Sequence, residues 1–389
     1  MSHFLILLMI NYINNYIISK MKLDLLKKKK YDFLILSLDY PPNIGGISSL
    51  AGGLTRNLLS NGFKIFVVTF YDKSKKLNRP DADYYEVSRI KFIRNLQIVY
   101  IVRNLGLKIP ILSTLWSPEA TLAMLAGARR VSILVHGSEL KNYKFKPFKT
   151  MLRRFILERA HIVICNSAHN EKIIKKIAPK AQTKIIYPAI DIQNFKIHYS
   201  KKKVRQFLQL PLKKKIIITV SRLVESKSHE TVFLAISLLN SEYKKNILYL
   251  VVGEGPMLKR LKAMTYNLKI NKQVKFVGFI NKDLPLWYRA SDLSVLTSVN
   301  VEGFGISLIE AQAAGLSVIG TRCGGIPEAI QEKKGGWLIN EGDSSQLAHH
   351  IKKLFNDQAL LKKQGELGLN RVKKDFNWNN YTKQLLKLI

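Results

Sequence analysis

Short, mostly apolar segments alternate with segments of helical length along the whole chain. In the first half such runs lie at residues 33–38, 65–70, 98–102, 133–135, 162–165 and 184–186. Most are continuously apolar rather than alternating, which is typical of parallel strands covered on both faces. A proline- and glycine-rich turn and a predicted helix at residues 47–59 follow the first run. The pattern therefore predicts alternating strands and helices.

The same pattern restarts after a basic, polar stretch at residues 198–203. Runs at residues 216–220, 248–252, 274–277, 293–296 and 317–319 predict a second parallel sheet, and helices are expected at 345–353, 358–373 and 378–388. A chain of 389 residues also exceeds what one core usually supports. We predict an α/β protein with one domain at residues 31–205 and another at 206–375.

Composition narrows the class of protein further. The chain is 47% hydrophobic and 23% charged, as ordinary globular proteins are. Its two cysteines provide neither a disulfide framework nor a cysteine-rich metal site, which fits a reducing cytoplasm. The formal charge of +36 should attract phosphates of nucleic acid, lipid headgroups or nucleotide-sugars. A genome biased towards lysine, isoleucine and asparagine would also raise this charge.

Residues 1–30 form a leader outside both predicted domains. Its longest apolar run, residues 4–10, is far shorter than the roughly 20 residues that span a bilayer. It also lacks the basic start and small-residue cleavage site of a secretory signal. Two interpretations stay open: Met21 is the true start, or the leader is an interfacial anchor.

The most specific motif begins at Glu302 and ends at Glu310, with Gly303, Phe304, Gly305 and Ile306 between them. It follows a predicted strand and opens a helix, so free backbone N–H groups and a positive dipole end would face a phosphate. The alternative is that Glu302 caps the turn and Glu310 is a solvated helix residue. Arg222 and Lys227 favour a phosphate site, because they follow a neighbouring strand and can pair with a diphosphate.

Two glycine loops accompany this motif in the second domain. They are Gly253-Glu254-Gly255-Pro256 and Gly324-Gly325-Ile326-Pro327-Glu328, and each follows a predicted strand. Open α/β sheets bind ligands at the carboxyl ends of their strands. We therefore expect one site built from all these loops.

Together with Ser221-Arg222-Leu223 and Lys227, these loops resemble the retaining glycosyltransferases of family 4, whose GT-B fold has two Rossmann-like domains facing a cleft. The resemblance spans nearly all of residues 31–389. It implies that Arg222 and Lys227 hold the donor diphosphate, that Glu310 binds the ribose and that Glu302 lies near the transferred sugar. Glu254 and the backbone of residues 303–306 would complete the donor site.

In the first domain the resemblance rests on Gly45, Gly46 and His136. The glycine pair would let the donor phosphate and the acceptor approach the backbone. His136, straight after a predicted strand, would contact the donor sugar, and the alternative is a structural histidine. Residues 376–389 would form a helix that returns to the first domain. Ser221 and Ser228 depart from the pattern, because many relatives have glycine at both places, so we expect an altered loop with an unaltered role.

The resemblance implies a transferase of class EC 2.4. It would move a sugar from a UDP- or GDP-sugar to a glycan or lipid-linked acceptor in cell-envelope polysaccharide or glycolipid synthesis. Other GT-B enzymes, such as sugar-nucleotide epimerases and phosphorylases, share the cleft and stay open as alternatives. The fingerprints of dinucleotide-binding dehydrogenases and P-loop NTPases do not occur.

Two expectations concern partners and cofactors. No nucleic-acid-binding motif is recognisable, so nucleic acid is not an expected partner despite the charge. No Asp-x-Asp is placed to hold a divalent ion against the diphosphate, so no obligatory metal cofactor is expected, and Arg222 and Lys227 would neutralise the charge instead.

A basic and aromatic segment follows the loop of His136. In residues 141–149 cations alternate with aromatic residues, and Arg153 and Arg154 lie beyond. This composition can dock on anionic headgroups and insert rings at the interface. The alternative is a solvated basic helix whose aromatic residues pack on the domain. We predict a cytoplasmic protein with peripheral contact to the cytoplasmic face of the membrane.

Overall fold

The computed structural model describes residues 29–43, 45–70, 80–107, 109–137, 147–280 and 282–389. Within these ranges the strands form two parallel sheets. The first sheet has the order β3-β2-β1-β4-β5-β6-β7 and consists of β1 (Phe33–Leu36), β2 (Ile65–Phe70), β3 (Asp83–Val87), β4 (Ile111–Ser113), β5 (Val131–Val135), β6 (Ile162–Cys165) and β7 (Thr183–Ile185). The second has the order β10-β9-β8-β11-β12-β13 and consists of β8 (Lys215–Val220), β9 (Ile247–Val252), β10 (Val274–Gly278), β11 (Leu293–Leu296), β12 (Ser317–Thr321) and β13 (Gly336–Ile339).

Helices cover both faces of the first sheet. One face packs against α1 (Gly46–Ser60), and the other packs against α2 (Lys91–Ile101), α3 (Thr121–Leu125), α4 (Pro147–Arg159) and α5 (Ala168–Ile177). A π-helical segment, Val102–Gly106, and a kinked segment, Trp116–Ala120, in which the backbone of Ser117 is extended, join this second layer. The arrangement explains why the strands read as continuous apolar runs.

The second sheet is covered in the same way. One of its faces packs against α7 (His229–Leu238), α8 (Ser241–Asn246), α9 (Leu258–Asn267), α13 (Ser344–Asn356) and α14 (Gln358–Asp375). The other packs against α6 (Lys201–Phe207), α10 (Leu284–Ala290), α11 (Ile306–Ala313) and α12 (Ile326–Ile330). Each sheet and the helices that cover it form one structural unit, the first unit or the second unit. The final helix, α15 (Trp378–Leu386), follows the second unit in the chain but packs on α1 of the first unit.

The prediction of an α/β protein with two parallel sheets is confirmed, but parts of the element assignment are wrong. The run at 98–102 is no strand: Ile98, Ile101 and Val102 are buried on one side of a helix that continues into a π-helical turn. Spacings of three and four residues give this helical face, which a run of β-branched residues obscures. The boundary placed after residue 205 also cuts α6, whose Arg205 pairs with Asp292 of the second unit at 2.7 Å.

Strands β3, β4 and β13 were not predicted. β3 contains mainly polar and aromatic residues and lies at the edge of its sheet, and β4 spans only three residues. Such short or half-exposed strands carry a weak hydrophobic pattern.

Candidate active site

The two units meet where the carboxyl ends of their sheets face each other. A Cβ atom on Gly303 would lie 2.0 Å from the carbonyl oxygen of His136. Gly137 has a φ of +104°, and a Cβ atom there would lie 2.8 Å from the Cα of Gly303. The loops that carry His136 and Glu302 therefore pack backbone against backbone, and a side chain at either glycine would separate them.

Glu302 and Lys227 form an ion pair at this junction. A carboxylate oxygen of Glu302, Oε2, accepts hydrogen bonds from Lys227 Nζ and from Ser298 Oγ, the latter at 2.7 Å. Both members of the pair are largely shielded from solvent. The structure thus brings together the residue predicted to hold the diphosphate and the carboxylate predicted to lie near the sugar.

The backbone of residues 302–306 forms a loop that leads into α11. The helix begins at Ile306 after Gly305, which has a φ of +90°. The ring of Phe304 is buried, with its centroid 5.5 Å from that of Tyr187 and 5.5 Å from that of Phe376. Phe304 can therefore offer a ligand only its backbone. Across the cleft, a Cβ atom on Gly46 would lie 3.6 Å from the Cδ1 of Ile306.

Glu310 lies one turn into α11 and is half-buried. It accepts a hydrogen bond from Tyr288 Oη at 3.1 Å. Burial raises the pKa of Glu310 to about 7, against the opposing effect of the Tyr288 hydroxyl. The carboxyl group is therefore only partly ionised near neutral pH, and a ligand that donates hydrogen bonds to it would favour the ionised form.

Arg222 and Glu254 are exposed on neighbouring loops at the ends of β8 and β9. Leu223 N donates to the backbone oxygen of Glu254 at 2.8 Å, so the two loops are joined. Beside them lies an open groove lined by the Gly253–Gly255 turn, Lys262 and Phe276.

Asp39 and Glu119 were missed by the sequence analysis. Asp39 is half-buried at the end of β1, and its Oδ2 lies 3.7 Å from where a Cβ on Gly45 would be. Burial raises the pKa of Asp39, although the charge of His136 lowers it. Glu119 is buried behind it and accepts from Leu38 N at 3.4 Å, and desolvation raises the pKa of Glu119 to about 7. No motif in the sequence marks either acid. The one signal that could have identified Asp39 is its position shortly after a predicted strand.

Glu328 links the two units in a way that the sequence did not reveal. Its carboxylate accepts from Ala168 N at 2.8 Å and from His169 N at 3.2 Å, at the N-terminus of α5 in the first unit. A carboxylate at a helix N-terminus is stabilised by the helix dipole and by the unpaired N–H groups. This contact helps to hold the cleft in the arrangement seen here.

The described residues contain no group of three or more side chains of the kinds that could together hold a metal ion. The sequence does contain one Asp-x-Asp, at residues 81–83. Asp83, the first residue of the edge strand β3, accepts hydrogen bonds from Lys29 and Tyr31. This position is at the amino end of the strand, whereas the cleft lies at the carboxyl ends.

The membrane prediction is corrected at one residue. Arg153 is not a surface cation: only 5% of it is exposed, and its guanidinium lies 4.7 Å from the centroid of the Trp116 ring. Arg154 is exposed and pairs with Glu158 at 3.1 Å. Residues 141–146, which carry most of the predicted segment, lie outside the described residues, as do residues 1–28. In the described ranges no helix is long and apolar enough to cross a bilayer.

Two family models match this chain. One, described as "Glycosyl transferases group 1", matches residues 200–371, and the other, "Glycosyltransferase Family 4", matches residues 44–194. A GDP-mannose-dependent alpha-(1-6)-phosphatidylinositol monomannoside mannosyltransferase of Mycobacterium tuberculosis is 25% identical over 90% of this chain and 96% of the relative. The N-acetyl-alpha-D-glucosaminyl L-malate synthase of Bacillus anthracis is 30% identical over 67% of this chain and 68% of the relative.

Solved structures share the fold. Sucrose-phosphate synthase from Thermosynechococcus elongatus superposes with a TM-score of 0.78 and 22% identity, over 92% of this chain and 97% of that one. The complex of Anabaena HepE with UDP-glucose gives a TM-score of 0.78 and 20% identity, over 91% of this chain and 98% of that one.

Proposed function

Because the chain belongs to the family 4 glycosyltransferases, we propose that its cleft transfers a sugar from a UDP- or GDP-sugar to a glycan or lipid-linked acceptor of the cell envelope. The chain has the GT-B fold and an activity of class EC 2.4. In this proposal the transfer retains the configuration of the sugar. The observation that carries the proposal is the Lys227–Glu302 pair at the loop that opens α11, directly against His136 of the other unit. A cation, a carboxylate and a helix N-terminus converge there.

In this proposal the diphosphate lies over the N-terminus of α11, between Arg222 and Lys227. When the bond between the anomeric carbon and the diphosphate oxygen breaks, negative charge develops on the leaving group. Positive groups fixed in advance stabilise that charge without reorganising. The side chains of Arg222 and Lys227 would therefore take the role that a metal ion has in other transferases.

The sugar end would lie between Glu302 and His136. The Glu302 carboxylate is held by Lys227 and Ser298, so its position is set before a ligand binds. The ribose would lie along α11 near Glu310, whose carboxylate can accept hydrogen bonds from the ribose hydroxyl groups. The base would extend towards the open groove beside Glu254.

A thermal-shift panel of nucleotides and nucleotide-sugars tests the proposal. A ligand at 100 times its dissociation constant stabilises the folded state by about 2.7 kcal/mol. We expect a shift with UDP or GDP and with one of their sugars. Incubation with that nucleotide-sugar and a glycan or lipid-linked acceptor then separates the enzyme classes. Transfer bonds the sugar to an acceptor hydroxyl group and releases the nucleoside diphosphate, whereas an epimerase would leave the diphosphate bonded to an altered sugar.

The outer helical layer of the first unit supports a membrane-bound acceptor. On α2, Phe92 is 73% exposed and Leu96 is 55% exposed, and on α4, Met151 is 63% exposed and Phe155 is 50% exposed. Each pair is spaced by four residues, so each forms an apolar stripe along one helix face. Both helices cover the same face of the first sheet.

The charge around these stripes suits an anionic bilayer. Helix α2 contains no acidic residue, and Lys149, Arg154 and Arg159 are exposed on α4, where the acid Glu158 is engaged by Arg154. Each cation near an anionic surface contributes about 1 kcal/mol. Helices that follow parallel strands begin at the carboxyl edge of the sheet, so these faces reach the cleft. We therefore propose that α2 and α4 rest on the membrane and bring the acceptor side to it.

Flotation with phosphatidylglycerol vesicles checks this docking surface. A chain starting at Met21 should float at low salt and be released at high salt, because screening weakens exposed charges. Phe92→Ser with Phe155→Ser should abolish flotation. The matched control is Phe207→Ser with Leu238→Ser in the second unit, where Phe207 is 74% exposed and Leu238 is 58% exposed. This variant should float like the unsubstituted protein. Equal flotation of both variants would contradict the docking surface and favour a soluble acceptor.

A further inference from the structure

A buried chain of hydrogen bonds lies beneath the loop that carries the two predicted phosphate-binding cations. Ser221 Oγ lies 3.0 Å from His229 Nε2, and His229 Nδ1 lies 3.1 Å from Tyr249 Oη. Tyr249 Oη donates to Thr219 Oγ1 at 2.9 Å, and Thr219 Oγ1 donates to the backbone oxygen of Val295 at 2.6 Å. His229 and Tyr249 are fully buried.

The chemistry of these groups sets the direction of the chain. A carbonyl oxygen can only accept, so the Thr219 proton points to Val295 and the Tyr249 proton points to Thr219. Tyr249 must then accept from Nδ1–H of His229, which leaves the lone pair of Nε2 as an acceptor for the Ser221 hydroxyl at 3.0 Å, nearer than its other acceptor, the backbone oxygen of Arg222 at 3.3 Å. The imidazole is therefore neutral and carries its proton on Nδ1. Desolvation, followed by the charge of Lys227, lowers the pKa of His229 to about 4, which agrees with this neutral form.

The imidazole of His229 connects the two ends of the loop that carries Arg222 and Lys227. Ser221 is the first residue after β8 and His229 is the first residue of α7, and Arg222 and Lys227 lie between them. Backbone hydrogen bonds hold the first part of this loop to the neighbouring glycine turn. Thr297 Oγ1 donates to the backbone oxygen of Ser228 at 2.8 Å and holds its last part to the second sheet. Only the contact between Ser221 and His229 joins the two ends by side chains among the described contacts.

We propose that His229 is a positioning residue that sets the spacing of Arg222 and Lys227 for a nucleoside diphosphate, with the Ser221 hydroxyl as its anchor. This inference rests on the proposed donor site. It also gives a reason for the serine that stands where the family pattern has glycine: the hydroxyl ties the loop to the buried imidazole, which a glycine could not do.

Two substitutions of His229 separate positioning from folding. In His229→Gln the amide oxygen can replace Nε2 and still accept from Ser221, whereas in His229→Asn the shorter side chain can reach only Tyr249. By calorimetry, we expect His229→Asn and Ser221→Ala each to weaken UDP or GDP binding about tenfold, the effect of one net hydrogen bond. Affinity for the bare nucleoside should not change, and His229→Gln should stay close to the wild type.

The coupling between the two residues gives a second readout. The double variant Ser221→Ala with His229→Asn should bind no more weakly than either single variant, because one contact is lost in all three. Thr265→Ala, which removes a buried hydroxyl near the end of α9 and outside this loop, is the matched control and should bind like the wild type. Nitrogen NMR of labelled histidine should show Nδ1 of His229 protonated and the ring neutral between about pH 5 and 8, on either side of the ordinary histidine pKa.

Three results would overturn the inference. They are unchanged UDP and GDP affinity in His229→Asn and Ser221→Ala, additive losses in the double variant, or a His229 ring protonated on Nε2. If His229→Asn does not fold, Ser221→Ala decides, since its hydroxyl lies at the surface of the loop. A wild-type protein that binds neither nucleotide would instead refute the donor site itself, and the positioning role with it.

Discussion

The two sides of the cleft are built differently. On the side of the second sheet, side chains cross-link the loops: Lys227 pairs with Glu302, Ser298 donates to the same carboxylate, and His229 holds Ser221. On the side of the first sheet, backbone forms much of the contact surface, at glycines 45, 46 and 137. In the proposed reaction every donor presents the same diphosphate, for which preorganised charge is effective. The proposed acceptor, a glycan or a lipid-linked sugar, is larger than a diphosphate, and a surface with few side chains leaves it room.

The largest expected effect comes from the carboxylate that lies between the two sides. Glu302→Gln should lower the transfer rate by about 10²- to 10³-fold, the usual effect of removing one electrostatic group from an active site. Affinity for UDP or GDP should be unchanged or slightly higher, because a negative charge beside Lys227 is removed. Transfer assays and calorimetry measure the two quantities.

Glu310→Ala is the matched control for that variant. It removes a carboxylate from the same motif at the nucleoside end, so nucleotide affinity should fall. If both variants lose nucleotide affinity equally, the assignment of separate roles to the two carboxylates is wrong.

The next effect concerns the cations of the second-sheet side. Arg222→Ala and Lys227→Ala should each weaken UDP or GDP binding by about 1.5 to 3 kcal/mol, the cost of truncating a charge-assisted contact. Binding of the bare nucleoside should change little. Lys244→Ala on α8 is a control for the loss of one positive charge elsewhere on the second unit. Unchanged diphosphate affinity in both loop variants would place the phosphates at another site.

The smallest effect is a pH dependence at Glu310. With a pKa of about 7 in the free protein, this carboxyl group is mainly protonated at pH 6 and mainly ionised at pH 8. Ribose hydroxyl groups donate to the ionised form, so affinity for uridine or guanosine should rise with pH over this window, by up to about tenfold. The bare nucleoside avoids titration of the phosphate. Glu310→Gln should show a flat profile, and a similar rise in that variant would refute the role of Glu310.

Much of the second unit could be predicted because its signals are local. Each strand except β13 is an apolar run found in the sequence, and glycines mark three of the four donor-side loops that follow these strands, the exception being the loop of Arg222 and Lys227. The first unit was harder to predict. Its strands β3 and β4 are polar or short, and a helical run of β-branched residues imitated a strand.

The sequence by itself determined the alternation of strands and helices and the positions of the glycine loops, because burial on both faces and left-handed turns restrict the residue types locally. Only the tertiary structure decided which charges meet. Lys227 and Glu302 lie 75 residues apart, and Glu328 and Ala168 lie 160 residues apart. Their pairing depends on the order of the strands and on how the two sheets face each other, and neither is encoded in a local pattern. The same reason explains why Arg153 was wrongly predicted to be a surface cation. Its neighbours in the sequence are typical of a surface helix, but packing against Trp116 buries its side chain.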